Sequence, residues 1–327
     1  MKKLVLLNII LLLSTTVIAQ QMHRRTLKLM GTRFDISVIA KDSTKAKQHI
    51  NLAINEITRI EKLISSWDKD SQTSLINKNA GINPVKVDKE LFDLIKRSLK
   101  ISKLTDGAFD ISYASMDKIW KFDDSMKKMP TKEKIKASVE KVGYKNIIID
   151  EEKRTVFLKL KGMKIGFGAI GKGYAADKTK KLLISKGVKA GIINASGDMN
   201  TWGKQANGDD WKVAITNPLN KKNAFGLLPI KSGAVVTSGN YEKYITINGK
   251  SYSHIIDPRT GYPSNGIISV TVFAPKAELA DALATSIFVM GIETGLNRID
   301  QLPKIECIII DEKGDIHKSK HINIEKI

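Results

Sequence analysis

Ala46, Ile50, Ala53, Ile57, Ile60 and Ile64 recur at alternating spacings of three and four residues, a period that lays one apolar stripe along an amphipathic helix. Residues 88–104 repeat the pattern less regularly with Leu91, Ile95 and Leu99 and predict a second helix. Other stretches alternate. Phe34, Ile36 and Val38 predict a strand, and Val156, Leu158 and Leu160 predict another behind a turn at Glu151 to Lys153. Asn248-Gly249, set between Tyr244, Ile245, Ile247 and Tyr252, is a two-residue hairpin signal. The second strand of that hairpin delivers His254 at its far end. ELADALATSIFVMG at 278–291 reads as a helix closed by Gly291. Antiparallel-looking strand pairs with a few long helices between them predict an α+β fold rather than a regular βαβ series.

The length of 327 residues allows one domain or two. Residues 1–19 stand apart: Lys2 and Lys3 precede the apolar run LVLLNIILLL, and Val17 and Ala19 offer a small-residue cleavage site before Gln20. That is the layout of a secretory signal, too short for a comfortable membrane span. The expected mature chain therefore begins near Gln20 and is exported, periplasmic or extracytoplasmic, and no Cys follows the signal to carry a lipid anchor there. The lone Cys307 cannot form an internal disulfide, and its setting in ECIII predicts a buried strand. KFDDSMKKMPTKEK at 121–134 is the best candidate for an exposed connection, between a helical N-terminal part and a strand-rich remainder. A formal net charge of +20 favours acidic partners such as anionic lipid or a phosphorylated ligand. The lysines are scattered and lack interleaved aromatics, which argues against nucleic acid.

Two stretches carry candidate chemistry. IGFGAIGKGYAAD at 165–177 holds Gly166, Gly168 and Gly171 in the order G-x-G-x-x-G. The acidic residue that a dinucleotide fold needs about twenty positions later is missing, since Lys189 and Ala190 stand there. What remains is either a structural role or close backbone approach to a phosphate, helped by a helix beginning near Gly173. Asp281 and Thr285 are four apart on one helix face. They are either a pair of hard oxygen ligands suited to Mg²⁺, or a solvent-facing carboxylate beside a packed threonine.

Read in order, LMGT at 29, TDGAFDIS at 105, IGFGAIGKGYAAD at 165, INASGDM at 193, WKVAITNP at 211, VVTSGNYEKY at 235, SHIIDPRTGYP at 253 and ADALAT at 280 resemble the ApbE family of FAD:protein FMN transferases. The resemblance covers nearly the whole chain after residue 19 and implies an α+β, T-fold-like architecture for 20–327. It implies Mg²⁺-dependent transfer of FMN from FAD to a threonine hydroxyl of a target flavoprotein, a membrane-associated redox subunit, with AMP leaving. FAD hydrolysis to FMN and AMP, or FAD binding without turnover, are the alternatives.

The family's metal ligands match the carbonyl of Gly171 and the side chains of Asp281 and Thr285. Its flavin-dinucleotide contacts match Met30, Trp67, Ala108, Phe109, Asp110, Gly168, Tyr174 and Ile255, and Lys172 is a candidate second positive contact. Its catalytic histidine matches His254. A threonine hydroxyl is a poor nucleophile at neutral pH, and histidine supplies a base in the useful range. Asp257, Pro258 and Gly261 read as a tight turn holding it, with Arg259 and Asp257 a structural pair. His23, His49, His317 and His321 receive no chemistry. Four positions depart from the commonest family pattern: Gly171 for Ala, Trp67 for Tyr, Asn240 for Asp, and Ser196 for the first Gly of a GGD motif.

Overall fold

A computed structural model describes residues 20–123, 125–216, 224–230, 232–240 and 244–322. The leader expected at 1–19 lies outside the described residues, as do Asp124 of the 121–134 connection and the motif ends Asn217-Pro218 and Tyr241 to Lys243.

Strands β1 (Gln21–Leu29) and β2 (Thr32–Ala40) form a hairpin whose two turn residues, Met30 and Gly31, both have positive φ. In β2 the alternation separates two faces: Phe34, Ile36 and Val38 are fully buried in the core, while Asp35 and Ser37 are buried opposite. Arg24 (2.8 Å) and Arg33 (3.1 Å) neutralise Asp35 there. Helix α1 (Ser43–Ile64) is capped by the Asp42 carboxylate, which accepts from Lys45 N at 2.8 Å. All six residues of its predicted stripe are buried. After α2 (Gln72–Lys78) and the short β3 (Val85–Lys86), α3 (Lys89–Leu104) buries Leu91 and Ile95 but leaves Leu99 half-buried.

A 3₁₀ turn at Ile111–Ser115 precedes the connection, which ends in α4 (Lys132–Ser138). β4 (Ile147–Asp150) and β5 (Thr155–Leu158) pair through the predicted turn and join β3 in a small sheet, Leu160 falling beyond the strand. Then follow α5 (Gly171–Ser185), β6 (Gly191–Ala195), β7 (Asp198–Trp202), β8 (Trp211–Thr216), β9 (Ala224–Ile230) and β10 (Gly233–Gly239). The predicted hairpin is β11 (Tyr244–Ile247) and β12 (Lys250–Ser253), with Asn248 at φ +52° and Gly249 at φ +74°. β13 (Ile267–Ala274), α6 (Ala277–Met290), α7 (Ile292–Ile299), β14 (Glu306–Asp311) and β15 (Ile316–Lys318) complete the order. Cys307 is fully buried in β14.

The main sheet runs β1-β2-β6-β7-β10-β13-β14-β15, antiparallel at every ladder. Strands from both sides of the 121–134 connection share it. The stretch before Gly171 is a loop and no parallel crossover follows, so the glycine pattern does not build a dinucleotide fold. No helix among the described residues is long and apolar enough to cross a membrane.

Helices α1, α5 and α6 pack together over the sheet. The α5–α6 contact is unusually close because Gly173 has no side chain: a Cβ there would sit 2.2 Å from the Ala277 carbonyl oxygen. Backbone cannot retreat as a flexible side chain can. Gly173→Ala is therefore expected to destabilise the fold by about 1–3 kcal/mol through overpacking, measured by urea denaturation; an unchanged midpoint would show that the helices separate freely.

Candidate active site

The α5–α6 contact brings two chemistries together. Asp177 on α5 accepts hydrogen bonds from Ala277 N (2.9 Å) and Glu278 N (3.0 Å), so one helix caps the first turn of the other. One turn further along α6 lies Asp281, whose carboxylate accepts from Gly173 N at 3.1 Å. Thr285 follows on the same face. Both line a cavity of about 760 Å³ bounded by the Met30–Thr32 turn, residues 108–116, the loop entering α5, strands β8, β10 and β13, and the loop after β12.

Met30, Ala108, Phe109, Asp110, Gly168, Lys172, His254, Ile255, Asp281 and Thr285 all line that cavity. The sequence separates His254 from Asp281 by nearly thirty residues, yet they share one chamber. Gly171, Trp67 and Tyr174 are not in the lining. Gly171 is buried at the start of α5, and a Cβ there would crowd the end of the Ile64 side chain, at 2.8 Å, while touching Phe167 and Met30 at ordinary contact distances. Trp67 is 82% exposed, with the Lys118 ammonium 4.8 Å from its ring centre. Tyr174 points to the other side of α5, donating to Glu90 at 2.7 Å.

The site is electrostatically loaded. Asp198, at the start of β7 and 1% exposed, forms an ion pair with Lys172 and lies against Asp281. Burial, then the neighbouring Asp281 charge, push Asp198 above the usual carboxylate range despite Lys172. Asp281, Asp198 and Thr285 bring side-chain oxygens together beside Lys172, and these donors are all hard. A divalent cation such as Mg²⁺ fits that donor set, with water and phosphate completing the shell. Asp110 is differently employed: its carboxylate accepts from Ser112 N (2.7 Å), Ser112 Oγ (2.6 Å) and Tyr144 N (2.6 Å) and so shapes the turn. Burial raises its pKa, and those bonds pull it back.

His254 is held by its loop. Ser264 N and Oγ both donate to the Ile255 carbonyl at 2.8 Å, and Asp257 N donates to Tyr262 O at 2.9 Å. The Arg259 guanidinium grips the Asp257 carboxylate through two 2.9 Å bonds, the structural pair expected. Trp120 donates from Nε1 to Gly261 O at 2.9 Å and stacks near Tyr252, inside a small separate core with Ile135, Ile245 and Ile247. Two of the unusual positions have local explanations. Ser196 occupies a turn at φ +52° with its hydroxyl donating to Arg33 O at 3.0 Å. Asn240 donates from Nδ2 to Ile267 O at 2.9 Å, which an ionised Asp cannot do.

Sequence reasoning missed Asp198 and Tyr113. Asp198 stood in the quoted INASGDM on the polar phase with Asn194 and Ser196, so alternation gave no sign of its burial. Tyr113 gave no signal at all.

The family model of the ApbE family matches residues 30–309. The chain is 30% identical over 298 residues to the FAD:protein FMN transferase of Escherichia coli (strain K12), covering 89% of this chain and 85% of that one. It is 32% identical over 290 residues to an FAD:protein FMN transferase of Klebsiella pneumoniae (strain 342), covering 88% and 89%. Among solved structures, the ApbE protein of Thermotoga maritima superposes with a TM-score of 0.83 at 31% identity, covering 92% of this chain and 97% of that one. The flavin transferase ApbE of Vibrio cholerae gives 0.81 at 26% identity, covering 92% and 98%.

Away from the cavity, Glu90 illustrates how α3 and α5 are tied. Burial opposes its ionisation, but bonds from Arg59 (2.9 Å), Tyr174 (2.7 Å) and Lys178 (2.9 Å) outweigh it and hold Glu90 at about 2. A depressed carboxylate stabilises the fold above its unfolded value and loses that contribution as pH falls through the folded one. Glu90→Gln should thus cost on the order of 2 kcal/mol above pH 5, by about 1.4 kcal/mol per unit with a discount for partial exposure. In thermal melts the gap between the two proteins should close from pH 4.5 towards pH 2; a gap independent of pH would contradict the assignment.

Proposed function

The chain belongs to the ApbE family and is a flavin transferase, and we propose that it moves FMN from FAD onto a threonine hydroxyl of a target flavoprotein. The observation that supports this reading most is the shared cavity: a histidine on a braced loop faces the same space as Asp281, Thr285 and Lys172.

In this reaction His254 accepts the threonine proton as the oxygen attacks the phosphorus on the riboflavin side of the pyrophosphate. A new P–O bond forms to threonine, the bond to the AMP phosphate breaks, and AMP leaves with the pyrophosphate's bridging oxygen. The side-chain oxygens of Asp281 and Thr285 and the Gly171 carbonyl would hold Mg²⁺, which when bound neutralises charge on the phosphate oxygens. Lys172, anchored on Asp198, adds fixed positive charge at the cavity wall. Phe109, Met30 and Ile255 offer apolar surface for a flavin ring.

We further propose export of the chain, which the leader-like residues 1–19 support, and an acceptor that is a membrane-associated redox subunit. Amino-terminal sequencing of the protein recovered from the cell envelope should begin near Gln20; recovery of an intact Met1 from the cytoplasm would overturn export.

Incubating the protein with FAD, Mg²⁺ and an acceptor carrying the threonine should yield a fluorescent protein band that survives denaturation, with one AMP released per flavin attached. His254→Ala should slow transfer roughly 10²- to 10⁴-fold, the usual worth of a general base, with FAD affinity retained. Asp281→Ala should lose Mg²⁺ binding in calorimetry. Equal labelling by His254→Ala and the parent protein would remove the histidine from the mechanism, and AMP release with no labelled acceptor would make the chain an FAD hydrolase.

A further inference from the structure

Tyr113 has no part in the reaction as described, yet it lines the cavity beside the glycine loop. It sits in the 3₁₀ turn braced by Asp110, with Tyr113 N donating to Asp110 O at 3.1 Å and Met116 N donating to Tyr113 O at 2.9 Å. The turn aims its side chain across the cavity at the loop that enters α5. There the phenol oxygen packs so tightly on Gly168 that a Cβ at this glycine would lie 2.4 Å from it. Tyr113 lines the same cavity as Lys172, Asp281 and Thr285.

This arrangement changes what the glycine loop presents. A backbone N–H ahead of a helix ordinarily contacts an anion directly. Here the phenol oxygen lies against the Gly168 backbone, so the hydroxyl and its proton stand between that part of the loop and the cavity. That proton finds no acceptor among the described residues, although the hydroxyl carries one donor to be satisfied.

We infer that the Tyr113 hydroxyl donates a hydrogen bond to a non-bridging pyrophosphate oxygen of the bound dinucleotide. The inference rests on the FAD-binding reading above. It assigns Tyr113 as a binding residue for the phosphate part of the ligand and not for the flavin ring.

Tyr113→Phe removes the oxygen and keeps the ring. With Mg²⁺ present, titrations of the parent and variant proteins with FAD, ADP and riboflavin separate the parts of the ligand. The affinities for FAD and ADP should fall about ten- to a hundredfold, the usual effect of a hydrogen bond to a charged acceptor, and that for riboflavin should change less than twofold. A parallel loss for all three would mean that Tyr113 merely supports the loop, and no loss for any would mean that its proton does not reach the ligand; either overturns the inference. A parent protein that binds FAD and ADP but transfers no FMN defeats the transferase reading and leaves this contact to be judged by the same titrations. A parent that binds neither overturns both.

Discussion

The close contact between α5 and α6 is the constraint on which the site depends. Gly173 lets the backbone of one helix touch the carbonyl of Ala277 at the start of the other, and the Asp177 carboxylate satisfies two amides of that first turn. Asp177 also accepts from Asn200 of β7, and Lys180 binds Asn200 Oδ1 and Thr201 O at 2.8 Å each. Helix α5 is thereby fastened to both the sheet and α6. The spacing of Asp281 and Thr285 from the glycine loop is a consequence of that joint and not of any contact within the cavity.

The same joint concentrates charge. Asp198 enters from the sheet, Asp281 from α6 and Lys172 from α5, so three elements bring their ionisable groups to one buried point. Burying carboxylates this close is unfavourable unless something compensates, and Lys172 brings one positive charge to the two of them. The fold tolerates the arrangement because the surrounding core is large and continuous, running through the sheet and the helices above it.

His254 is positioned by separate means. Its hairpin and the loop beyond it rest on a satellite core around Trp120, tied by the contacts of Gly261, Asp257 and Arg259 rather than by the helix layer. One half of the chemistry is therefore mounted on the rigid sheet-and-helix body and the other on a smaller unit at its rim. In the reaction proposed above an acceptor hydroxyl would reach between them, which suits a macromolecular substrate presenting an exposed residue.

Local sequence decided the secondary structure where periodicity was strong. The six-residue stripe of α1, the Asn248-Gly249 turn, the Gly291 stop and the buried strand around Cys307 all follow from neighbours close in the chain. The family pattern also brought most cavity residues to notice, from Met30 to Thr285. What no local pattern holds is the direction of a side chain in the folded body. Tyr174 belongs to a stretch of glycine-rich sequence that faces the cavity, yet helix geometry turns it to Glu90 on the far side. Tyr113 and Asp198 become site residues only because the 3₁₀ turn meets the loop before α5 and the first residue of β7 meets Lys172 and Asp281. Sequence determines which elements form, since hydrogen bonding and apolar periodicity act over a few residues; tertiary structure alone decides which charges meet, because desolvation and Coulomb forces depend on distance through space.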